Sequence, residues 1–262
     1  MMTRIGLALI WLLHWLPLSV LAALGRGAGL LLYAMAFERR RVVLTNLRLC
    51  FPELRDDQRR ALARRHFAAF GRGLLEHGIL WWGSRARVMH TVRIEGLEHW
   101  QAVRDRPVIW LAPHFVGLDM GGIRMCAEYR VVSVYSKQKN AAFDAVLYHG
   151  RTRFVMPDLY SRQDGIRPVA RAIKAGRPFY YLPDMDFGER DSIFVPFFNV
   201  PAATITGLSR IAALTGAVVV PAVTTQLPGA QGYELRFYPA WENFPSSDPA
   251  ADARRMNTFI EE

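Results

Sequence analysis

Residues 112–122 read Ala-Pro-His-Phe-Val-Gly-Leu-Asp-Met-Gly-Gly, directly after the apolar run 108–112. The run has the length and composition of a buried strand, and Pro113 ends it. His114 and Asp119 are five apart, so one helix face does not hold both; three or four would be needed. The spacing suits a histidine on the turn leaving a strand and an acid in the first turn of the next helix, with Gly117 easing the bend. There the carboxylate can accept the imidazole N–H, fix the tautomer and leave the other ring nitrogen free as a base. An isolated pair of this kind also arises as a capping histidine and a first-turn acid favoured by the helix dipole. The rest of the chain has to decide between them.

Downstream of residue 91 the pattern extends. Short β-rich runs at 91–94, 108–112, 131–136, 178–182, 217–225 and 233–238 alternate with helical stretches near 118–128, 140–153, 164–175 and 203–215. Such alternation predicts an α/β fold with a central mixed, largely parallel sheet flanked by helices. Function in such sheets belongs at the carboxyl ends of strands, where His114 falls.

Upstream, residues 5–25 hold no Asp, Glu, Lys or Arg and are rich in Leu, Ile, Trp and Ala. At 1.5 Å per residue they are about as long as the ~30 Å hydrocarbon core of a bilayer. The expected organisation is an N-terminal membrane-anchoring helix over 1–37 and a catalytic domain over 38–262. The anchor is single-pass, or monotopic if Pro17 and the glycines at 25, 27 and 29 let it lie in the interface. Arg26, Arg39, Arg40 and Arg41 follow the segment and only Arg4 precedes it, so the bulk of the chain is expected in the cytoplasm. Residues 38–49 read as a basic helix broken at Phe51-Pro52. A long helix, capped by Asp56 or Asp57, then runs to about residue 80. His66 and His77 on it lack a clustered partner and read as ordinary core or surface residues.

The chain carries 33 basic against 23 acidic residues, a net charge of +10. That excess favours an anionic partner. The arginines are spread along a membrane-linked α/β chain with no recognised module, so nucleic acid is not expected. Two cysteines, Cys50 and Cys126, make neither a disulfide framework nor a metal-ligand spacing, and no metal is expected.

Further stretches fall at equivalent places. His-Gly-Arg-Thr-Arg (149–153) ends a helix, and Pro-Asp-Met-Asp (183–186) follows a strand. Phe-Val-Pro-Phe-Phe (194–198) leads through Pro201 into a helix start at 202–206. Arg167, Arg171 and Lys174 form one basic stripe on one helix. Singly each is weak: the arginines suit any helix C-terminus, Asp184 and Asp186 suit a turn or a D-x-D metal pair, and the phenylalanines suit a core.

Together and in this order they resemble the late acyltransferases of lipid A biosynthesis, within the wider H-x4-D/E glycerolipid acyltransferases. The resemblance rests on the membrane segment with its basic sequel and on Ala-Pro-His-Phe-Val-Gly-Leu-Asp. It continues through Gly-Arg-Thr-Arg, Tyr-Leu-Pro-Asp-Met-Asp-Phe-Gly, Phe-Val-Pro-Phe-Phe-Asn-Val-Pro-Ala-Ala-Thr and Thr-Gly-Ala-Val-Val-Val-Pro. It implies a bacterial inner-membrane protein that moves an acyl chain from acyl carrier protein to a hydroxyl of a lipid A precursor, an anionic glycolipid. No cofactor is implied beyond the acyl donor itself. A thioester is already activated and no G-x-S-x-G elbow is present, so no covalent intermediate is expected. The chemistry needs a base, an orienter and a cation for the developing oxyanion. His114 and Asp119 are assigned the first two roles. The resemblance assigns Arg151 and Asp184 to the substrate, with Arg153 a lesser candidate for acceptor phosphate. Phe194, Val195, Phe197 and Phe198 are candidates for the acyl slot, and the Arg167, Arg171, Lys174 stripe for carrier docking.

Two departures stand out. The motif acid is Asp119 where many members have Glu. The chain also stops at Glu262 in what reads as mid-helix, where relatives run on. Three alternatives remain at this point: a lysophospholipid or ornithine-lipid acyltransferase, a metal-dependent membrane glycosyltransferase using Asp184 and Asp186, and a non-catalytic lipid-binding protein.

Overall fold

The computed structural model describes residues 2–185 and 192–262. It opens with α1 (Met2–Leu13), α2 (Leu18–Met35), α3 (Phe37–Cys50) and α4 (Asp56–Trp82). The expected continuous apolar helix over 5–25 is therefore two helices. The Pro17 ring cannot continue α1, but its carbonyl starts α2 by accepting from Val20 and Leu21 at 3.0 and 3.1 Å. Arg87 donates to the carbonyls of His14 and Leu16 at that break. Where Asp56 or Asp57 was expected to cap α4, Gln58 reaches back instead, its Oε1 accepting from the Arg55 N–H at 2.9 Å.

α2 alone is long and apolar enough, among the described residues, to cross a membrane by length and composition. It is also bound to α4. A Cβ at Gly29 would lie 2.0 Å from the Phe67 carbonyl oxygen, and one at Gly25 2.5 Å from the Arg72 Cα. Glycines four apart let two helix backbones touch in this way. Leu21 and Ala22 are fully buried, and Leu7, Ile10 and Leu13 pack on the same core, so α1 and α2 share the core of the remainder.

After α5 (Arg85–Thr91) the α/β part follows as β1 (Val92–Glu95), α6 (Leu97–Gln101), β2 (Val108–Leu111), α7 (Leu118–Cys126), β3 (Val132–Tyr135), α8 (Ala141–Thr152) and β4 (Asp158–Ser161). A 3-10 turn (Arg162–Asp164), α9 (Ile166–Lys174), β5 (Phe179–Tyr181), β6 (Ser192–Phe197), β7 (Val200–Ile205), α10 (Gly207–Thr215), β8 (Val218–Gln226), β9 (Tyr233–Phe237) and α11 (Pro249–Glu261) complete it. Among the described residues, seven strands form one sheet in the order β1-β9-β8-β2-β5-β3-β4. Only β8 and β9 pair antiparallel; the sheet is mixed and largely parallel, as expected.

β2 sits at the centre and is buried on both faces, which is why its sequence is a continuous apolar run rather than an alternation. Val108 and Trp110 join the core beneath α4 and α7, with Met120, Ile123, Val220 and Phe237. Ile109 and Leu111 point the other way, to Val169, Ile173, Leu208, Ile211 and Met256 of α9, α10 and α11. Complete burial of Ile109 and Leu111 contributes about 1.5–3 kcal/mol each.

The segment at 202–206, expected to start a helix, is instead strand β7, paired antiparallel with β6 through Pro196 opposite Pro201. The two-residue turn between them, Phe198 and Asn199, has φ of 48° and 60°, the twist that a tight hairpin requires. A hairpin of its own lets both prolines avoid the central sheet.

Candidate active site

The parallel pairing of β2 and β5 sets Leu111 beside Tyr181, so the two chain segments that leave these strands emerge side by side. His114 lies on the first and Asp184 on the second. His114 Nδ1 is 2.7 Å from Asp184 Oδ1, and the His114 backbone N–H donates to Asp184 Oδ2 at 2.9 Å. The carboxylate can only accept, so Nδ1 carries the proton and Nε2 is left as the basic nitrogen. His114 is about one-third exposed and lines a cavity of about 560 Å³.

The carboxylate on His114 is thus Asp184 and not Asp119, the orienter expected from the motif. Asp119 does lie in the first turn of α7, but its oxygens are held by other partners. Oδ1 accepts from Arg151 at 2.8 Å and Oδ2 faces His77 Nε2 at 3.4 Å. Gly117 has an ordinary φ of −87°, so its use is closeness rather than a bend. A Cβ there would meet Thr224 at 2.9 Å.

Arg151 reaches the site from the last turn of α8. Asn140 caps that helix, accepting from the Ala142 and Phe143 N–H groups at 3.1 Å each. Gly150 lets it press onto α4, since a Cβ there would stand 2.3 Å from Trp81 Cδ1. Burial alone would raise the Asp119 carboxyl, but Arg151 and then His77 hold it well below the usual carboxylate range. Burial likewise disfavours the charged forms of Arg151 and His77, and Asp119 reverses this for both, raising them.

Among the described residues the cavity is lined on its apolar side by Val134, Leu147, Val169, Phe179, Ile205 and Ile211, and Arg151, Arg162 and Arg210 give it positive charge. The aromatic run expected as the slot lies elsewhere. Phe194 is 70% exposed on β6, Phe197 packs toward the core under α11, and the Phe198 ring meets Phe51 at a tilt and Phe197 edge-on. The buried Val195 does not line the cavity either. The hairpin draws them away, tied to α11 by Phe198 N–H to Glu261 at 2.9 Å and Asn257 Nδ2 to the Pro196 carbonyl at 2.9 Å.

Arg153 also turns away from the cavity, binding the Gly83 carbonyl at the end of α4 and covering the Phe154 ring. Arg167, Arg171 and Lys174 are all exposed along α9, whose inner residue Val169 forms part of the cavity wall. Asp186, the second acid of the D-x-D alternative, lies outside the described residues. Both oxygens of Asp184 are already engaged by His114. Cys126 is buried, and burial pushes its thiol up to about 12, so it is a protonated thiol at neutral pH.

His77 is the site residue that the sequence did not reveal. It precedes Asp119 by 42 residues on a different helix, and no local spacing links them.

Comparison with known proteins gives the family. The model of the bacterial lipid A biosynthesis acyltransferases matches residues 1–262. The lipid A biosynthesis lauroyltransferase of Escherichia coli K12 is 33% identical over 263 residues, 99% of this chain and 85% of that protein. The myristoyltransferase of the same organism is 31% identical over 245 residues, 92% of this chain and 74% of that protein. The crystal structure of the 1-acyl-sn-glycerophosphate acyltransferase of Thermotoga maritima aligns with a TM-score of 0.42 at 15% identity, covering 92% of this chain and 94% of that one. With its whole length matched, the chain belongs to the bacterial lipid A biosynthesis acyltransferases.

Proposed function

We propose that this acyltransferase takes its acyl group from acyl carrier protein and delivers it to a hydroxyl of a lipid A precursor, with His114 as general base. The observation that carries this reading is the 2.7 Å contact of His114 Nδ1 with Asp184. It makes Nε2 the free nitrogen of a histidine that lines a cavity shared with Arg151.

The step balances without a covalent enzyme intermediate. Nε2 takes the acceptor hydroxyl proton as the oxygen attacks the thioester carbonyl. The carbonyl oxygen becomes an oxyanion, for which Arg151 supplies N–H donors and positive charge. When the tetrahedral adduct collapses, the C–S bond breaks and the imidazolium returns its proton to the leaving thiolate. Asp184 stabilises the imidazolium in between. Cys126, buried and protonated at neutral pH, supplies no thiolate nucleophile.

A volume of about 560 Å³ falls within the range of roughly 300–1,000 Å³ usual for ligand pockets. Its apolar wall suits an acyl chain, and Arg162 and Arg210 suit phosphate. The exposed stripe of Arg167, Arg171 and Lys174 on the outer face of that wall suits an acidic carrier. α2, which carries Arg26 at its middle and is followed by the arginines of α3, suits an inner-membrane anchor with the catalytic part on the cytoplasmic side. Arg153 is proposed only as a contact outside the cavity.

The test is transfer itself. Purified protein with lauroyl- or myristoyl-acyl carrier protein and a Kdo-bearing lipid A precursor, in EDTA, is expected to add the mass of one acyl chain to the acceptor. His114→Ala should lose about 10²–10⁴-fold in rate or more. Near-normal turnover in that variant would remove His114 from the mechanism, and transfer only to a lysophospholipid would change the acceptor.

A further inference from the structure

An arginine and a carboxylate normally meet fork to fork, two N–H donors on two oxygens. Arg151 and Asp119 do not. One guanidinium nitrogen, Nη2, donates to Oδ1 at 2.8 Å, and the other oxygen, Oδ2, faces His77 Nε2. His77 is fixed in turn by α4, its Nδ1 lying 2.6 Å from the carbonyl of Gly73 one turn back. Its ring also rests against Trp81, with centroids 5.5 Å apart.

We propose that His77 is a positioning residue: by occupying Asp119 Oδ2 it limits Asp119 to a one-oxygen hold on Arg151, leaving the other guanidinium donors for the substrate oxyanion. This rests on the reading of Arg151 given above and adds His77 to Asp119 in its support.

The chemistry of the ring follows from its partners. A backbone carbonyl and a carboxylate both only accept, so each ring nitrogen faces an acceptor and the cationic imidazolium satisfies both. The groups that set its charge come from three elements: Asp119 on α7, Arg151 on α8, and Glu76 beside it on α4. Glu76 is itself engaged by Arg72 and Tyr233, which leaves Asp119 as the carboxylate that bonds to His77. With His77 protonated, two cations share one carboxylate and the cluster carries a net positive charge beside the cavity. When His77 loses its proton, the Nδ1–H stays on the Gly73 carbonyl, Nε2 stops donating, and Asp119 Oδ2 is free to take a second donor from Arg151.

The experiment is steady-state acyl transfer by the full chain between pH 6 and 10, comparing wild type, His77→Leu and His77→Gln, each also in an Arg151→Lys background. His77→Leu is expected to lower kcat by about 10–100-fold, below the full value of an oxyanion donor, while KM for both substrates stays within about threefold. His77→Gln keeps a neutral donor of similar reach. It should recover most of kcat and lose the alkaline decline that the wild type shows as His77 deprotonates. In the Arg151→Lys background His77→Leu should cost less than about threefold, because residues acting through one another are not additive. An equal cost in both backgrounds, or an unchanged alkaline limb in His77→Gln, would overturn the proposal. If His77→Leu fails to fold by thermal unfolding, the pH profile of His77→Gln decides alone. His114→Ala separates the two readings: turnover without His114 removes the base, whereas the coupling of His77 to Arg151 is a ratio that does not depend on which group is the base.

Discussion

Replacing Asp184 by asparagine removes a charge and one acceptor while keeping the size of the side chain. Both carboxylate oxygens are in use, Oδ2 on the His114 backbone N–H at 2.9 Å and Oδ1 on Nδ1 at 2.7 Å. Asparagine has one acceptor oxygen, so one of the two His114 groups must face an NH2. If that group is Nδ1, the ring proton moves to Nε2 and the basic nitrogen is gone. If it is the backbone N–H, two donors oppose each other, at a cost of about 1–3 kcal/mol, and the imidazolium loses a charged hydrogen bond worth about 1.5–3 kcal/mol. Either route raises the barrier by several kcal/mol, and with about 1.4 kcal/mol per decade the expected loss in kcat is about 10²–10⁴-fold. The assay is single-turnover transfer from acyl carrier protein to the lipid A precursor, with thermal unfolding to confirm a native fold. A folded Asp184→Asn variant that keeps turnover within about threefold, while Asp119→Asn loses 100-fold or more, would refute the pairing of His114 with Asp184 and return the orienting role to Asp119.

Four further outcomes follow from the same geometry. Arg72→Met strips the buried Glu76 (0% exposed) of its ion pair at 2.8 Å, and breaking such a pair costs about 3–5 kcal/mol. At about 2–4 °C per kcal/mol for a chain near this size, the unfolding midpoint should drop by several degrees, and an unchanged midpoint would count against the network. Gly29→Leu should part α2 from α4 and expose the N-terminal helices to protease, whereas Gly27→Leu, with nothing within 4 Å of its Cβ position, should not; equal protease resistance would contradict the helix contact. Ile211→Trp, in the cavity wall, should move donor preference to shorter acyl chains with little loss on those chains, a result read by competition between donors; an unshifted profile would place the chain elsewhere. Because Asp119 is held below its usual range, its share of stability is fully present above its unfolded pKa of about 3.9 and is lost only as pH falls through the lower folded value. Asp119→Asn should therefore flatten the stability profile in that acid window, and a profile as steep as wild type would remove Asp119 from it.

The parts of the fold legible in the sequence are those whose signal is local. Residues 108–112 read as a buried strand because β2 is apolar on both faces, and Pro113 ended it. The stretches 38–49, 140–153 and 164–175 read as helices close to the observed bounds of α3, α8 and α9. β4 went unseen because Asp158, Leu159, Tyr160 and Ser161 sit at the sheet edge, each only partly buried, and so carry no apolar run. The β6–β7 hairpin went unseen because its prolines argue against a strand and its turn residues, Phe198 and Asn199, are an unusual pair for positive φ. The site divided in the same way. His114, Arg151 and Asp184 were each picked out, but the partner of His114 was not, since 70 residues separate it from Asp184 and the strand order that joins them is not written in either segment. His77 left no local trace at all.

The parallel register of β2 with β5 has a consequence for when the enzyme first becomes active. His114 leaves the ribosome 70 residues before Asp184, the carboxylate it contacts, an interval of about 4–14 s at roughly 5–20 residues per second. Even then β2 lacks its other neighbour, β8, which ends at Gln226. Until that strand arrives, the nascent chain holds a histidine with no fixed tautomer beside an unfinished cavity wall. Such an intermediate has no assembled site, so acyl transfer begins only once the chain has been made through β8.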